Sequence, residues 1–142
     1  MADSLRLIGL ARRAGFLEYG EETVGASARA GKAKVILIAS DASNNTKARG
    51  RNFARYGDIP VLEIPFTKEE LGAALGKGVT GLISISDAGL ASKFVSELAA
   101  AEPGKYTEPA QRLALRAEKA AKLREEAAAH RRNQKLGKRR MK

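Results

Sequence analysis

Five apolar residues in succession, Val35 to Ala39 in "KVILIAS", constrain the fold more than any other stretch of this chain. The run has no polar face, is of strand length and is rich in β-branched side chains. It therefore predicts a strand covered on both faces rather than an amphipathic helix. Such a strand needs other strands beside it and helices above and below. "IPVLEIP" and "GLISIS" supply two clear further strands, and "FLEYG" a shorter one.

Helical patterns fall between these runs. Leu5, Ile8 and Ala11 share one stripe, Val24 and Ala28 a second, Leu71, Ala74 and Leu75 a third. Leu90, Ala91, Phe94, Val95 and Leu98 make the strongest. Thr67 followed by Glu70 spells a capping box, Asp87 is placed to cap the last helix, and Gly15 and Gly31 suit helix ends. The order is helix and strand alternating, from a first helix to a fifth. It predicts an α/β fold, a three-layer α/β/α sandwich around a small mixed sheet.

Charge divides the chain in two. Lys and Arg against Asp and Glu number 13 against 12 in residues 1–102 and 13 against 4 in residues 103–142, so the net charge of +10 belongs almost wholly to the second part. Between them lies "AAAEPGKYTEP", where Pro103 and Gly104 end any helix arriving from the left and Pro109 argues against a helix running through it. The expected organisation is a packed domain over 1–102 and a basic C-terminal arm, helical or partly disordered, over 103–142. A strongly basic balance of this kind points to a polyanionic partner. Zero cysteine removes disulfides and cysteine-based metal sites. No secretory signal and no run of membrane-span length is evident, so a cytoplasmic protein with no membrane partner is expected.

Catalytic readings find little support. "GKGVTG" has the G-x-G-x-x-G spacing at Gly76, Gly78 and Gly81, but it follows a helix and precedes a strand, the reverse of the context that cradles a pyrophosphate. "GAALGKG" falls short of a phosphate loop by one residue and lacks its Ser or Thr. His130, the single histidine, sits among charges in the tail with no orienting carboxylate. Asp41 and Asp87 each follow a strand and could form a carboxylate pair, though an Asp before a helix is more often a cap. Asn44 and Thr46 form a glycosylation sequon of little meaning without an export signal. No enzyme, cofactor or metal is expected.

The succession "LIGLARRAGFLEYGEETV", "GKAKVILIASDASNNTK", "ELGAALGKG" and "LISISDAG" resembles the ribosomal protein seven-Ae / thirty-e family, most closely its small bacterial members of the YlxQ type, over about residues 5 to 98. The resemblance implies the same α/β/α sandwich and a non-enzymatic activity, binding structured RNA, often at kink-turns, with a link to the ribosome or translation. Ribosomal or kink-turn RNA is then the expected partner, ribosomal or transcription-translation proteins are further candidates, and the chain is expected to be monomeric. In the family the second helix opens with Gly, any residue, Asn, Glu, two more and Lys. Here Gly20 is retained, Glu21 follows, and Glu22, Thr23 and Ala26 stand at the Asn, Glu and Lys positions. These changes bear on kink-turn affinity rather than on fold.

The resemblance also places Gly76, Lys77, Gly78, Val79 and Thr80 in the loop that packs apolar backbone against flipped bases. Asp41 to Thr46 falls at a strand end on the RNA side, where Asn44, Asn45 and Thr46 can donate to phosphate or base edges; Lys47, Arg49 and Arg51 add charge. Ser43 to Thr46 can equally be read as a simple helix cap. The tail lies outside the resemblance: it has high helix propensity, a weak apolar stripe without heptad spacing, and Arg112, Arg116 and Lys119 on one face. A phosphate-binding arm and a merely solubilising one both fit. The alternative function is a protein-interaction module of the same fold with a decayed RNA surface.

Overall fold

The computed structural model describes residues 2–140, with side chains from Asp3 to Leu136. The elements run α1 (Ala2–Arg13), β1 (Leu17–Tyr19), α2 (Glu21–Arg29), β2 (Val35–Ile38), α3 (Asn44–Ala54), β3 (Val61–Glu63), α4 (Lys68–Leu75), β4 (Leu82–Ile85), α5 (Ala88–Ala101) and α6 (Pro103–Arg140). Up to α5 this is the order that the apolar periodicities predict.

The strands lie in the order β1-β4-β2-β3. The sheet is mixed: β2 runs parallel to β3 and antiparallel to β4, with Val35 opposite Ile85 and Ile38 opposite Leu82. Every residue of β2 and β4 is buried, as a strand with helices on both faces requires. α2 and α3 pack on each other and on the central strands, while α1 packs with α4 and α5. Gly25 of α2 meets the Phe53 ring of α3, where a Cβ would stand only 2.9 Å from ring carbons; a glycine there lets the two helices close up.

Local signals decide the helix starts. Thr67 and Glu70 form the reciprocal capping box of α4, and Asp87 accepts from the Leu90 amide at 2.9 Å to cap α5. α3 is capped by Ser43, and Asp41 instead accepts from the Lys68 amide at 2.8 Å, capping α4 from the end of β2. On α1 the buried stripe is Ser4, Leu7, Ile8 and Ala11, with Leu5 half-buried, so the core-facing arc is rotated slightly from the predicted one.

The C-terminal part is helical, one of the two forms expected of it, and departs from expectation at Pro109. α5 does end at Ala101, and Pro103 opens α6 at its first position, where the missing N–H costs nothing. But Pro109 lies inside α6, and the helix runs straight through it. A proline there forfeits one helical hydrogen bond, about 3 kcal/mol in an interior position. Burial of Tyr106, Pro109, Ala110 and Leu113 on the same side offsets that cost, since each large apolar side chain contributes about 1.5–3 kcal/mol. The core therefore extends past Glu102: Tyr106 and Leu113 are each only 1% exposed and belong to the central cluster. Beyond Ala120 the side chains of α6 are almost all exposed, so the helix, 38 residues and about 57 Å long, is anchored at its start and projects at its end.

Candidate nucleic-acid interface

At the end of the sheet where β2 finishes and β4 begins, the starts of α2 and α3 and the loop from Gly76 to Gly81 surround an open cleft of about 250 Å³. Gly20 forms its floor. With φ 88 and ψ 152 it occupies a backbone region open in practice to glycine alone, and its amide donates to the Leu82 carbonyl at 3.0 Å. This turn aims the start of α2 into the cleft. No side chain caps that start, which leaves the first-turn amides, Glu21 to Thr23, without a capping acceptor at the positive end of the helix dipole.

A chain of hydroxyls ties α3 to α2. Ser43 accepts from the Thr46 amide and donates to the Thr46 hydroxyl at 3.0 Å, and Thr46 in turn donates to Glu21 Oε1 at 3.2 Å. Arg49 pairs with the other oxygen of Glu21 at 3.1 Å. The Glu21 carboxylate is thus occupied by the protein itself and holds the two helix starts together. Glu22, Thr23 and Ala26 are exposed, Glu22 beside the groove that α2 forms with Arg49 and Phe53 of α3.

The opposite wall is the loop. Gly76 ends α4 in the left-handed conformation, the Lys77 amide donates to the Gly72 carbonyl at 2.8 Å, and the Thr80 amide reaches the Lys68 carbonyl at 3.0 Å. The loop therefore folds back over α4. Thr80 is buried beneath it, and Val79 is raised at the rim with 65% of its surface exposed. Lys77 Nζ and the Arg12 guanidinium lie 5.9 and 5.6 Å from the centre of the Tyr19 ring, giving this wall two cations on an aromatic support. Arg12 also donates to the Leu75 carbonyl at the end of α4.

Of the residues expected at the site, Gly20, Glu21, Lys77, Val79 and Thr80 line this one cleft together with Thr46, while Gly76 and Gly78 complete the loop beside it. Glu22 and Thr23 sit on the adjoining first turn, and Asn44 and Asn45 are exposed at the start of α3. Asp41 is spent on α4. Lys47 turns away to Glu63 at 3.4 Å, which Arg51 shares at 3.6 Å, at the β3 edge. Arg49 is held by Glu21. Lys47, Arg49 and Arg51 are thus engaged by carboxylates, and the cleft offers backbone, hydroxyl and apolar surface with Lys77 as its lining cation.

Three contributors escaped the sequence reading. Gly72 is the most demanding: a Cβ there would lie 1.7 Å from the Gly78 carbonyl oxygen, so the loop can fold onto α4 only over a glycine. A glycine inside the helical pattern of "ELGAALGKG" was the available signal. Tyr19 and Arg12 gave none, because their meeting with Lys77 is purely tertiary.

Alternative chemistry does not assemble. Asp41 follows β2 and Asp87 follows β4, and since these strands are antiparallel the two carboxylates are at opposite ends of the sheet. The Gly76–Gly81 stretch precedes a strand and opens no helix. His130 is exposed on α6 beside Gln134. Among the described residues no cluster of three or more His, Asp or Glu is arranged to hold a metal ion, and no helix is long and apolar enough to cross a membrane.

Known proteins share this architecture. The chain is 40% identical over 90 residues to the RNA-binding protein YlxQ of Enterococcus faecium, covering 63% of this chain and 85% of the relative. It is 33% identical over 92 residues to the RNA-binding protein YlxQ of Bacillus subtilis, covering 65% and 91%. Among solved structures, a Bacillus halodurans protein of unknown function superposes with TM-score 0.62 at 33% identity, covering 68% of this chain and 96% of that one. The 15.5 kD RNA-binding protein of Giardia lamblia superposes with TM-score 0.55 at 20% identity, covering 68% and 84%, a likeness of fold. The profile of the ribosomal protein L7Ae/L30e/S12e/Gadd45 family matches residues 2–95, and the chain belongs to that family.

Proposed function

We propose that this chain is a non-enzymatic RNA-binding protein that recognises kink-turn or similarly bent RNA, linked to the ribosome or translation as the ribosomal members of its family are. The observation that carries this reading is the cleft itself. An uncapped helix start at Gly20, the Thr46 hydroxyl held by Ser43, and an exposed apolar rim at Val79 converge on one 250 Å³ space. Those are the groups that suit a sharply bent backbone with unstacked bases: amides and hydroxyls for phosphate and base edges, and a glycine-rich loop for close approach. Engagement of Arg49 by Glu21 and of Lys47 by Glu63 leaves the cleft few cations beyond Lys77, which suits recognition chiefly by shape. The YlxQ relatives, named as RNA-binding proteins, support the same conclusion.

The departures at Glu22, Thr23 and Ala26 favour a second reading, a protein-interaction module whose RNA surface has decayed. Titration against a kink-turn RNA and an unbent duplex separates the two. Preference for the bent RNA supports the first reading, and equal or undetectable binding to both supports the second.

A further inference from the structure

α6 carries a pattern that the cleft does not use. The stripe that anchors it, Tyr106, Ala110 and Leu113, advances by alternate steps of four and three residues, so it stays on one face of the helix. Continued along that face, with a last step of four in place of three, it reads Ala117, Ala120, Arg124, Ala127, Arg131 and Lys135. The face changes from apolar to basic where the helix leaves the domain: Ala117 and Ala120 are half-buried, and Arg124, Arg131 and Lys135 are exposed. None of the nearby acidic residues, Glu118, Glu125 and Glu126, falls on it. Leu115, Leu123 and Leu136, the exposed large apolar residues of α6, point in three other directions, so no apolar seam forms for a partner helix or a membrane.

The domain continues this surface. Where the stripe changes character, Leu113, Arg116 and Ala120 form one side of a concavity of about 290 Å³ whose other side is Gly31, Lys34 and Ile59. Lys32, Lys34 and Arg55 are exposed on this flank. Arg116 is committed to Asp58, donating to its carbonyl at 3.0 Å and its carboxylate at 3.3 Å, and so braces the helix against the flank. The concavity lies where β2 begins and β4 ends, the opposite end of the sheet from the cleft.

We infer that the Arg124, Arg131 and Lys135 face of α6, with the Lys34 flank of the domain, is a second RNA surface that takes the phosphate backbone of a regular duplex. Its charges are spread over about 17 Å of helix, with alanines between them that allow close approach to a backbone. RNA rather than another polyanion is assigned on the strength of the function proposed above. Two surfaces at opposite ends of the sheet let one chain hold a bent segment and a straight one of the same folded RNA.

The test uses the full chain and two triple variants of equal charge change: Arg124→Gln/Arg131→Gln/Lys135→Gln on the stripe, and Lys119→Gln/Lys122→Gln/Arg132→Gln off it. Gln keeps helix propensity, and circular dichroism checks helix content. Each protein is titrated at several salt concentrations with an unbent RNA duplex, with a kink-turn RNA and with phosphatidylserine vesicles. The stripe variant is expected to lose about tenfold in duplex affinity and to flatten the slope of log affinity against log salt by about 2 to 3, while the off-stripe variant changes little. Equal losses in both variants, or none in either, overturn the surface. A loss confined to the vesicles also overturns it and assigns the stripe to a membrane. Preference of the unaltered chain for the kink-turn over the duplex reports on the cleft alone, so failure there leaves the comparison of the two variants standing.

Discussion

Tyr106 donates its phenolic hydroxyl to the backbone carbonyl of Glu63 at 2.7 Å, joining the first turns of α6 to the outer edge of β3. That carbonyl faces away from β2, so it would otherwise be an open acceptor on an edge strand. Burial pushes the Tyr106 phenol up to about 12, with the Glu102 and Glu63 carboxylates adding to the shift. The proton is held more tightly in the folded chain than in the unfolded one, so its contribution is complete below pH 10 and is lost as pH rises from about 10 to 12. Tyr106→Phe is expected to cost about 1–2 kcal/mol at neutral pH and to remove that part of the alkaline destabilisation. Urea unfolding of both proteins across this range checks it.

The same contact sets where the chain can be shortened. Residues 1–102 hold the whole sheet, yet Tyr106, Ala110 and Leu113 fill the core from beyond that point. A chain ending at Glu102 is expected to unfold at markedly lower denaturant concentration than one ending at Ala120, which should match the full chain. Equal midpoints for the two truncations would show that the start of α6 is not needed by the core.

Gly72 and Gly78 should respond oppositely. Gly72→Ala forces a methyl against the Gly78 carbonyl, and relief requires the loop to lift from α4, at a cost of about 1–3 kcal/mol. Gly78 has open space around it, so Gly78→Val is expected to leave the unfolding midpoint nearly unchanged while reducing affinity for kink-turn RNA through lost close approach. Thermal denaturation and RNA titration of both variants separate the two effects.

Glu63 restrains two cations at once. Removing its charge in Glu63→Gln releases Lys47 and Arg51, and affinity for any RNA should rise several-fold with a salt slope steeper by about 1 to 2. Preference for bent over straight RNA should not change, because neither cation lines the cleft. Titration against both RNAs at several salt concentrations is the check.

Much of this architecture is legible in the residues. Val35 to Ala39 announces a doubly covered strand, and the Thr67–Glu70 box and Asp87 mark helix starts, because each signal acts within a few residues. The errors share one cause. Pro109 argues locally against a helix, and only the tertiary burial around Tyr106 and Leu113 overrides it. Asp41 looks like a cap for the helix that follows, yet it caps one 27 residues away, because β2 delivers it beside Lys68. At the candidate site, the glycines of the loop stand out in the sequence, whereas the engagement of Arg49 by Glu21 and of Lys47 by Glu63 does not. A lysine or arginine in a sequence carries no sign of whether a carboxylate from another element already holds it.

The central claim is that RNA meets the cleft at Gly20, Thr46 and Val79, and backbone amide chemical shifts test it residue by residue. A kink-turn RNA added to isotopically labelled full-length protein is predicted to move the amides of Gly20 to Thr23, Asn44 to Lys47 and Gly76 to Thr80 together, at lower RNA concentration than an unbent duplex requires. Shifts confined to α6, with those three segments unmoved by either RNA, would contradict it.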